Sequence, residues 1–441
     1  MKHLSKWIVT LRPERTVVIG YFACALLGWL ILLLPICHKK SVPPLDNFFI
    51  ALSAVSTTGL TTVDVGTVYS FFGQIIIFLL FQVGGVGYMT FISFMYLAIR
   101  NKLQGITRKI ASATFSLPKD FHIHQFFFHV VMFTLCCEFI GAVALSIIFS
   151  HHGIANPIWN GIFHSVSAFC TAGFSLFSDS FVGFKYDIWV NLTLGILSIL
   201  GGSLGFIVWL DVYKRIKGER KRLLFTTKVI MAYSIGLIFL STWVFFLVEG
   251  SDLSGSIYQR ILSSFFQVMT AATTVGFNTL DIGNLGHASI ILLFFLMFFG
   301  GSPSGTGGGL KCTTLSALVA IVKCTLQRKS VVTLWRHEIG IQTVRLATAS
   351  FTFYMFVILT AIFFLDLTDT KHFMPILFET VSAMGNVGLS MGITSDLTVW
   401  GKGIICLLML MGRAGVLTFA IAISNQKKEE EPYIKEAELV T

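Results

Sequence analysis

The chain has 441 residues, of which 54% are hydrophobic and only 12% are charged, and its formal net charge is +10. A mean hydropathy of +0.79 excludes an ordinary soluble globular protein, in which about 25% of the residues are charged. The composition therefore predicts a protein of the lipid bilayer.

Eight apolar windows are long enough to cross roughly 30 Å of hydrocarbon as helices. In chain order they are 16–37, 71–98, 122–149, 187–211, 225–248, 287–325, 346–368 and 401–424. The first follows Lys2, Lys6, Arg12 and Arg15 but contains no small-residue cleavage site, so we interpret it as a retained helix rather than a signal peptide. The sequence thus predicts eight transmembrane spans.

The distribution of basic residues predicts the orientation of these spans. If the N-terminus is cytoplasmic, 24 of the 32 Lys and Arg residues lie in cytoplasmic segments and six lie in outer loops. This positive-inside bias predicts a multi-pass protein of the cell membrane with both termini in the cytoplasm. Because topology explains the basic excess, the predicted surroundings are membrane lipid, and no nucleic-acid partner is expected.

Four related segments lie between the apolar windows. They are SAVSTTGLT (53–61), SAFCTAGFS (167–175), TAATTVGFN (270–278) and SAMGNVGLS (382–390). Their glycines are separated by 114, 103 and 112 residues, and a phenylalanine stands ten residues before each one. The repeat predicts four units at 1–110, 111–220, 221–340 and 341–426, followed by a cytoplasmic tail at 427–441.

A short half-apolar helix precedes each of these segments, at 46–57, 158–170, 258–272 and 373–384. Such helices are too short to cross the bilayer, so we expect them to enter and leave on the outer side, with their C-terminal ends pointing inward. Irregular backbone at membrane depth persists only where it lines water or a bound species. The predicted fold is an all-α polytopic membrane protein with four helix–pore loop–helix units arranged pseudo-four-fold around one central ion pathway.

Glycine allows the backbone at these segments to turn its carbonyl oxygens towards the pathway. Each short helix adds about half a negative charge at its C-terminal end, so four converging ends favour a monovalent cation without any fixed carboxylate. A helix-packing seam of small residues is the alternative for a single segment, but four aligned copies argue against it.

The four motifs and their layout resemble the Trk/Ktr/HKT family of potassium transporters over nearly the whole chain, and the length is most similar to the bacterial Ktr membrane subunit. The resemblance implies potassium uptake through a selectivity filter, with or without dependence on sodium. It implies a potassium ion in the filter, sodium as a potential activator and no covalent cofactor. It also implies a homodimer and a cytoplasmic ring of nucleotide-binding RCK subunits. The implied filter residues are Thr57, Thr58, Gly59, Thr171, Ala172, Gly173, Thr274, Val275, Gly276, Asn386, Val387 and Gly388.

The window 287–325 is longer than a membrane requires, and GGSPSGTGGGLKCTT at 300–314 cannot continue a helix. We predict a loop that occludes the pathway on its inner side, which matches the family's intramembrane gate; a simple kink is the alternative. The gate residues are Gly300, Gly301, Ser302, Pro303, Ser304, Gly305, Thr306, Gly307, Gly308, Gly309 and Lys311, together with Arg413 in the last span. Arg413 would face the pathway below the filter, where it would oppose lingering cations or pair with acceptors on the broken loop; a buried ion pair with Glu138 or Glu379 is the alternative.

One aspartate follows each filter motif: Asp64, Asp179, Asp281 and Asp396. These carboxylates either concentrate cations at the outer mouth or cap turns and helices. The run Gly84–Gly87 lies within an apolar window without a βαβ context, so we interpret it as helix packing.

The alternative functions are a sodium-coupled secondary transporter with a midplane substrate site and an intramembrane enzyme. The former is expected to show two related halves rather than four quarters. An enzyme needs a nucleophile paired with a base, and the spacing of Ser302 or Ser304 from His287 or His372 provides no such pair. The sequence therefore favours a transport protein without enzymatic activity.

Overall fold

The computed structural model describes residues 13–87 and 123–424 of the chain. The basic residues Lys2, Lys6 and Arg12, the loop 99–121 and the predicted tail 427–441 lie outside the described residues. The described part is mostly helical, and its departure from the predicted all-α chain is one β-hairpin of two-residue strands.

The first two predicted units contain a long helix, a short helix and then a further helical stretch. The helices of the first are α1 (Pro13–Leu32), α2 (Pro44–Val55), the single turn α3 (Val65–Val68) and α4 (Phe71–Val86). Those of the second are α5 (Ile123–His151), α6 (Pro157–Phe169), α7 (Ile188–Ser198) and α8 (Gly205–Ile216). A π-helical turn, Ile199–Leu204, joins α7 to α8.

The last two predicted units follow the same order. The third contains α9 (Phe225–Glu249), α10 (Ile257–Thr273), α11 (His287–Phe298) and α12 (Cys312–Leu326), followed by β1 (Thr333–Leu334) and β2 (His337–Glu338). The two strands are antiparallel and pair Thr333 with Glu338. The fourth unit contains α13 (Ile341–Thr368), α14 (Phe373–Gly385), α15 (Val399–Ala414) and α16 (Val416–Ile423).

Five stretches among the described residues are long and apolar enough to span a membrane, and the bent pair α15 and α16 is a sixth candidate. The remaining two predicted spans are interrupted or incomplete. Window 287–325 is divided into α11 and α12 by the glycine-rich loop, and α4 ends at Val86, next to residues that the structure does not describe. The structure thus shows a mostly helical membrane protein.

The four short helices begin and end within two residues of their predicted bounds. Proline at the first position starts α2 and α6, where a missing N–H costs nothing. Ser256 and Gln259 form a reciprocal capping box at the start of α10. At its C-terminal end, each short helix is followed by a residue in the left-handed conformation, which stops the helical hydrogen-bond pattern.

The short helices form the centre of the molecule. The phenylalanines Phe49, Phe163, Phe266 and Phe378, one from each short helix, are fully buried. The long helices instead expose large apolar side chains on their outer faces, such as Phe139, which is 71% exposed, and Leu247, which is 75% exposed. This inverted pattern suits a protein whose outer solvent is lipid.

A buried ion pair joins the fourth unit to the first. Lys402 Nζ in α15 lies 2.7 Å from Asp46 Oδ1 in α2, and the two side chains are 12% and 11% exposed. Helix α15 also packs against α1 and α2, so the chain returns to its own beginning.

Lys402→Ala is expected to lower the free energy of unfolding by about 3 kcal/mol, because the Asp46 carboxylate would remain buried without its partner. Thermal unfolding in detergent would measure this loss. Lys371→Ala is the control, since Lys371 pairs with the exposed Asp396 and should cost no more than about 1 kcal/mol. Equal losses for the two variants would contradict the structural role of the buried pair.

Candidate functional site

The four glycine segments, defined as Thr57–Gly59, Thr171–Gly173, Thr274–Gly276 and Asn386–Gly388, share one unusual backbone conformation. Their first residues have φ angles of 53°, 50°, 61° and 51°, and their glycines have φ angles of 89°, 69°, 85° and 90°. A left-handed conformation is rare for threonine and costs of order 1–2 kcal/mol. Its occurrence at the same position in all four copies indicates a functional constraint on the backbone.

The glycine segments contact one another in a closed ring. A methyl group added at Gly59 would lie 2.5 Å from the carbonyl oxygen of Ala172 in the next unit. In the same way, a methyl group would overlap Val275 O if added at Gly173, Val387 O if added at Gly276, and Thr58 O if added at Gly388. Each glycine thus lies against the carbonyl that precedes the next glycine, and the fourth segment meets the first.

Hydrogen bonds to the end of each short helix fix these backbones. The N–H that precedes each glycine donates to the carbonyl five residues earlier, at distances from 2.8 to 3.1 Å. In two units the glycine N–H also donates to the first hydroxyl of the motif, over 3.2 Å to Ser53 Oγ and 3.1 Å to Ser382 Oγ. The sequence shows that this hydroxyl recurs but gives no reason for it. In these two units the structure shows that it accepts a hydrogen bond from the glycine and so fixes the backbone of the segment.

A second set of polar side chains supports the outer edge of two segments and was missed in the sequence. His164 Nε2 accepts the Leu176 N–H over 3.1 Å and lies 3.1 Å from Ser175 Oγ. At the equivalent position of the fourth unit, Glu379 accepts hydrogen bonds from Ser390 and Thr394. A polar residue nine positions before the glycine and a hydroxyl two positions after it were the available signal.

The ring opens outward into a cavity of about 540 Å³, lined by all four glycines. Asp64, Asp179 and Asp281 also line it. Asp64 and Asp281 additionally accept backbone N–H groups of the turns that follow them, which confirms the capping interpretation for these two residues. Asp396 does not line the cavity; the Lys371 ammonium beside it lowers the pKa of its carboxyl group.

The glycine-rich loop, Gly300–Lys311, lies directly against the ring at the first residues of the glycine segments. Thr306 Oγ1 is 3.2 Å from Thr171 Oγ1, and a methyl group added at Gly307 would lie 2.8 Å from Thr274 Oγ1. A methyl group added at Gly308 would likewise overlap the Asn386 side chain. The loop therefore contacts the first residue of the glycine segments in units two, three and four.

Arg413 connects the loop to the first unit. Its guanidinium group donates to the carbonyl oxygens of Thr306, Gly84 and Gly85. Lys311 Nζ donates within the loop, over 2.6 Å to Gly307 O.

The predicted alternative, an ion pair of Arg413 with Glu138 or Glu379, is wrong, because none of the ion pairs between described residues includes Arg413. Glu138 instead accepts a 3.0 Å hydrogen bond from Gln82. The acceptors of Arg413 are main-chain carbonyls: Thr306 O lies on the loop, where the sequence predicted acceptors, whereas Gly84 O and Gly85 O near the end of α4 were not predicted.

One early helix end and two helix breaks among the described residues were not predicted. All three positions are glycines with positive φ angles: Gly87 follows the last residue of α4, Gly205 is the first residue of α8, and Gly415 lies between α15 and α16. The last break bends the chain by 103°. The interpretation of Gly84–Gly87 as helix packing captured only part of its role: Gly84 does pack against Val55 O, but the run also ends a helix and supplies acceptors to Arg413.

This arrangement of four short helices around a glycine ring defines a class of membrane transport protein. The sequence profile of the TrkH family, described as a cation transport protein, matches residues 12–431. The chain therefore belongs to the TrkH family, which confirms the resemblance inferred from the four motifs.

Among its relatives is the Ktr system potassium uptake protein B of Bacillus subtilis, which is 33% identical, with 97% of this chain and 96% of the relative covered. The potassium/sodium uptake protein NtpJ of Enterococcus hirae is 32% identical, with 95% of each chain covered. The crystal structure of the potassium transporter TrkH from Vibrio parahaemolyticus has the same fold. Its TM-score is 0.73 at 20% identity, with 93% of this chain and 84% of that chain covered.

Proposed function

We propose that this protein carries potassium ions into the cell, down their electrochemical gradient, through a selectivity filter formed by the four glycine segments. The closed ring of glycines and carbonyl oxygens is the observation that carries the proposal. Carbonyl groups can replace the water around a dehydrated monovalent cation, and no ring residue carries a carboxylate that would favour a divalent ion. The potassium uptake named for the relatives supports the same substrate.

Side chains on the inner side of the ring support an ion or water pathway. Thr57 Oγ1, Thr274 Oγ1 and Asn386 Oδ1 are buried and have no hydrogen-bond partner among the described residues. Buried polar oxygens without partners are costly unless they face water or a bound species. The three atoms belong to equivalent positions of the repeat, so they suit a pathway that continues inward from the filter.

The proposal includes eight membrane passes, four pseudo-symmetric pore-loop units and cytoplasmic termini. The loop Gly300–Lys311 would close the pathway below the filter, because it touches three of the four segments. As in the family resemblance, we expect a homodimer whose cytoplasmic side binds a ring of RCK subunits at the basic stretches 214–222 and 327–336. The proposal also includes a test of whether potassium uptake depends on sodium, because the relative NtpJ is named for the uptake of both ions.

Flux into liposomes tests the function directly. Purified protein should accumulate potassium along an imposed gradient and should prefer potassium to sodium when both are present. Protein-free liposomes are the control. Equal fluxes of potassium, sodium and choline would contradict a selective filter, and the absence of potassium flux above the control would contradict the proposed function.

Arg413→Ala is expected to raise potassium flux several-fold, because it removes the connection between the loop and the first unit. Arg15→Ala is a matched control: Arg15 also donates to main-chain carbonyls, those of Ala422 and Ser424, and these do not belong to the loop. Flux assays combined with thermal unfolding would separate gating from folding. A stable Arg413→Ala protein with unchanged flux would show that the residue does not hold the loop.

A further inference from the structure

The π-helical turn Ile199–Leu204, called the π-turn below, changes the hydrogen bonding of the second unit's inner span. The Gly205 N–H bonds to Leu200 O, five residues back, and Gly205 has φ = 71°. In a continuous α-helix, Gly205 N–H would bond to Gly201 O and Phe206 N–H would bond to Gly202 O. The π-turn therefore leaves two carbonyls and at least one N–H without their helical partners.

The glycine-rich loop Gly300–Lys311 occupies these vacated positions. Ser302 N–H donates to Gly202 O over 2.8 Å, and Thr306 N–H donates to Gly201 O over 3.0 Å. Ser302 Oγ donates to Leu204 O over 2.9 Å.

In the reverse direction, Ile207 N–H donates to Ser304 Oγ over 3.2 Å, and Phe206 N–H approaches Ser304 O at 3.5 Å. Ser304 thus caps the start of α8 from another unit, as an N-cap residue would in its own helix.

The loop and the π-turn span fit together because both carry glycines, which have no side chain, where the two backbones meet. A methyl group added at Gly205 would lie 2.9 Å from Gly305 Cα, and one added at Gly305 would lie 2.6 Å from Gly202 O. Two backbones approach this closely only at glycine. Arg413 contacts the loop at Thr306, whereas the π-turn contacts it at Ser302 and Thr306 and the start of α8 contacts it at Ser304.

We infer that the π-turn is the docking site that holds the loop beneath the filter, with Ser302 and Ser304 as the positioning residues. This inference rests on the proposed gating role of the loop. When the loop leaves, the exposed groups of the span pair with each other: Phe206 N–H bonds to Gly202 O and the π-turn becomes α-helical. The span therefore has two hydrogen-bonded arrangements, one with the loop docked and one without it. A π-turn is a suitable element for such a switch, since it differs from an α-helix by one inserted residue.

The double variant Ser302→Ala, Ser304→Gly tests the docking site in the full chain. It removes two side-chain hydrogen bonds to the span, and glycine suits the φ of 62° at position 304. We expect potassium flux in liposomes to rise by about fivefold for each lost bond. Ser304→Asn should retain the flux of the unmodified protein, because asparagine keeps a capping oxygen and tolerates the left-handed conformation.

Hydrogen exchange provides a readout that a merely structural role would not change. In the double variant, exchange should accelerate in the loop amides, while Phe206 and Ile207 in the span should stay protected. Gly195→Ala is the control within α7, because its added methyl group would have its nearest contact at 3.6 Å. It should change neither flux nor exchange.

The outcomes separate the two proposals. If deletion of Ser302–Gly308 raises flux but the double variant changes neither flux nor loop exchange, the loop is a gate and the docking site is wrong. If the deletion itself leaves flux unchanged, the gating role is wrong. Faster exchange of both the loop and the span would overturn the two-state π-turn. If the double variant does not fold, Ser302→Ala alone applies the same test.

Discussion

Gly276→Ser is expected to reduce the preference for potassium over sodium at least tenfold, while the protein still reaches the membrane. Gly276 has φ = 85°, which disfavours any L side chain by about 1–2 kcal/mol. Its new Cβ would also collide with Val387 O of the next segment. Either the backbone of Thr274–Gly276 changes its conformation, or the Val387 carbonyl turns away from its position in the ring. A change of 1.4 kcal/mol in the free energy of binding potassium relative to sodium changes the preference tenfold. Even a small displacement of the carbonyl oxygens is therefore expected to remove most of the preference for potassium.

The matched control is Gly153→Ser. Gly153 also has a positive φ, 68°, but no atom lies within 4 Å of an added methyl group. The control therefore carries the same kind of backbone strain at an exposed position away from the ring. Potassium and sodium uptake would be measured in a transport-deficient cell and in liposomes. An unaltered ion preference in Gly276→Ser would contradict the filter assignment.

Deletion of Ser302–Gly308 is expected to raise potassium flux by an order of magnitude or more. The deletion removes Thr306, Gly307 and Gly308, which contact Thr171, Thr274 and Asn386. It also removes the loop carbonyls that accept hydrogen bonds from Arg413 and Lys311. The pathway below the filter would then lack its closing segment. Unidirectional flux in liposomes would measure the increase.

The ion preference of the same deletion variant is its internal control. The glycine ring is formed without the loop, so the ratio of potassium to sodium flux should stay close to that of the unmodified protein. A rise in flux with lost preference would show that the loop supports the filter. Unchanged flux in a stable protein would favour the simple kink over a gate.

Local chemistry made the short helices and their glycine ends predictable. Each short helix has a start signal, such as Pro44, Pro157 or the Ser256 capping box, and ends where the motif changes from apolar to hydroxyl and glycine residues. The fourfold recurrence of the motif added information that a single copy does not contain. These features depend on residues close together in the chain, so a pattern is sufficient to find them.

The helix end at Gly87 and the breaks at Gly205 and Gly415 were harder to predict because each lies in an apolar stretch where glycine is also common as a packing residue. What distinguishes the first two is a partner distant in the chain: Arg413 for Gly84 and Gly85, and the loop for Gly201 and Gly202. The same reason explains the wrong ion-pair alternative for Arg413. A carboxylate can be found by inspection of the sequence, whereas the Gly84 and Gly85 carbonyls, which lie in an apolar stretch, give no sign there that they accept hydrogen bonds.

The contact of Gly388 with Thr58 O joins the two ends of the chain's repeat. During synthesis the first three segments are complete before Gly388 emerges from the ribosome, so the ring cannot close until the last quarter of the chain is made. The buried pair of Lys402 and Asp46 forms later still. The final quarter of the polypeptide thus supplies both the last segment of the ring and the ion pair that fastens it to the first unit.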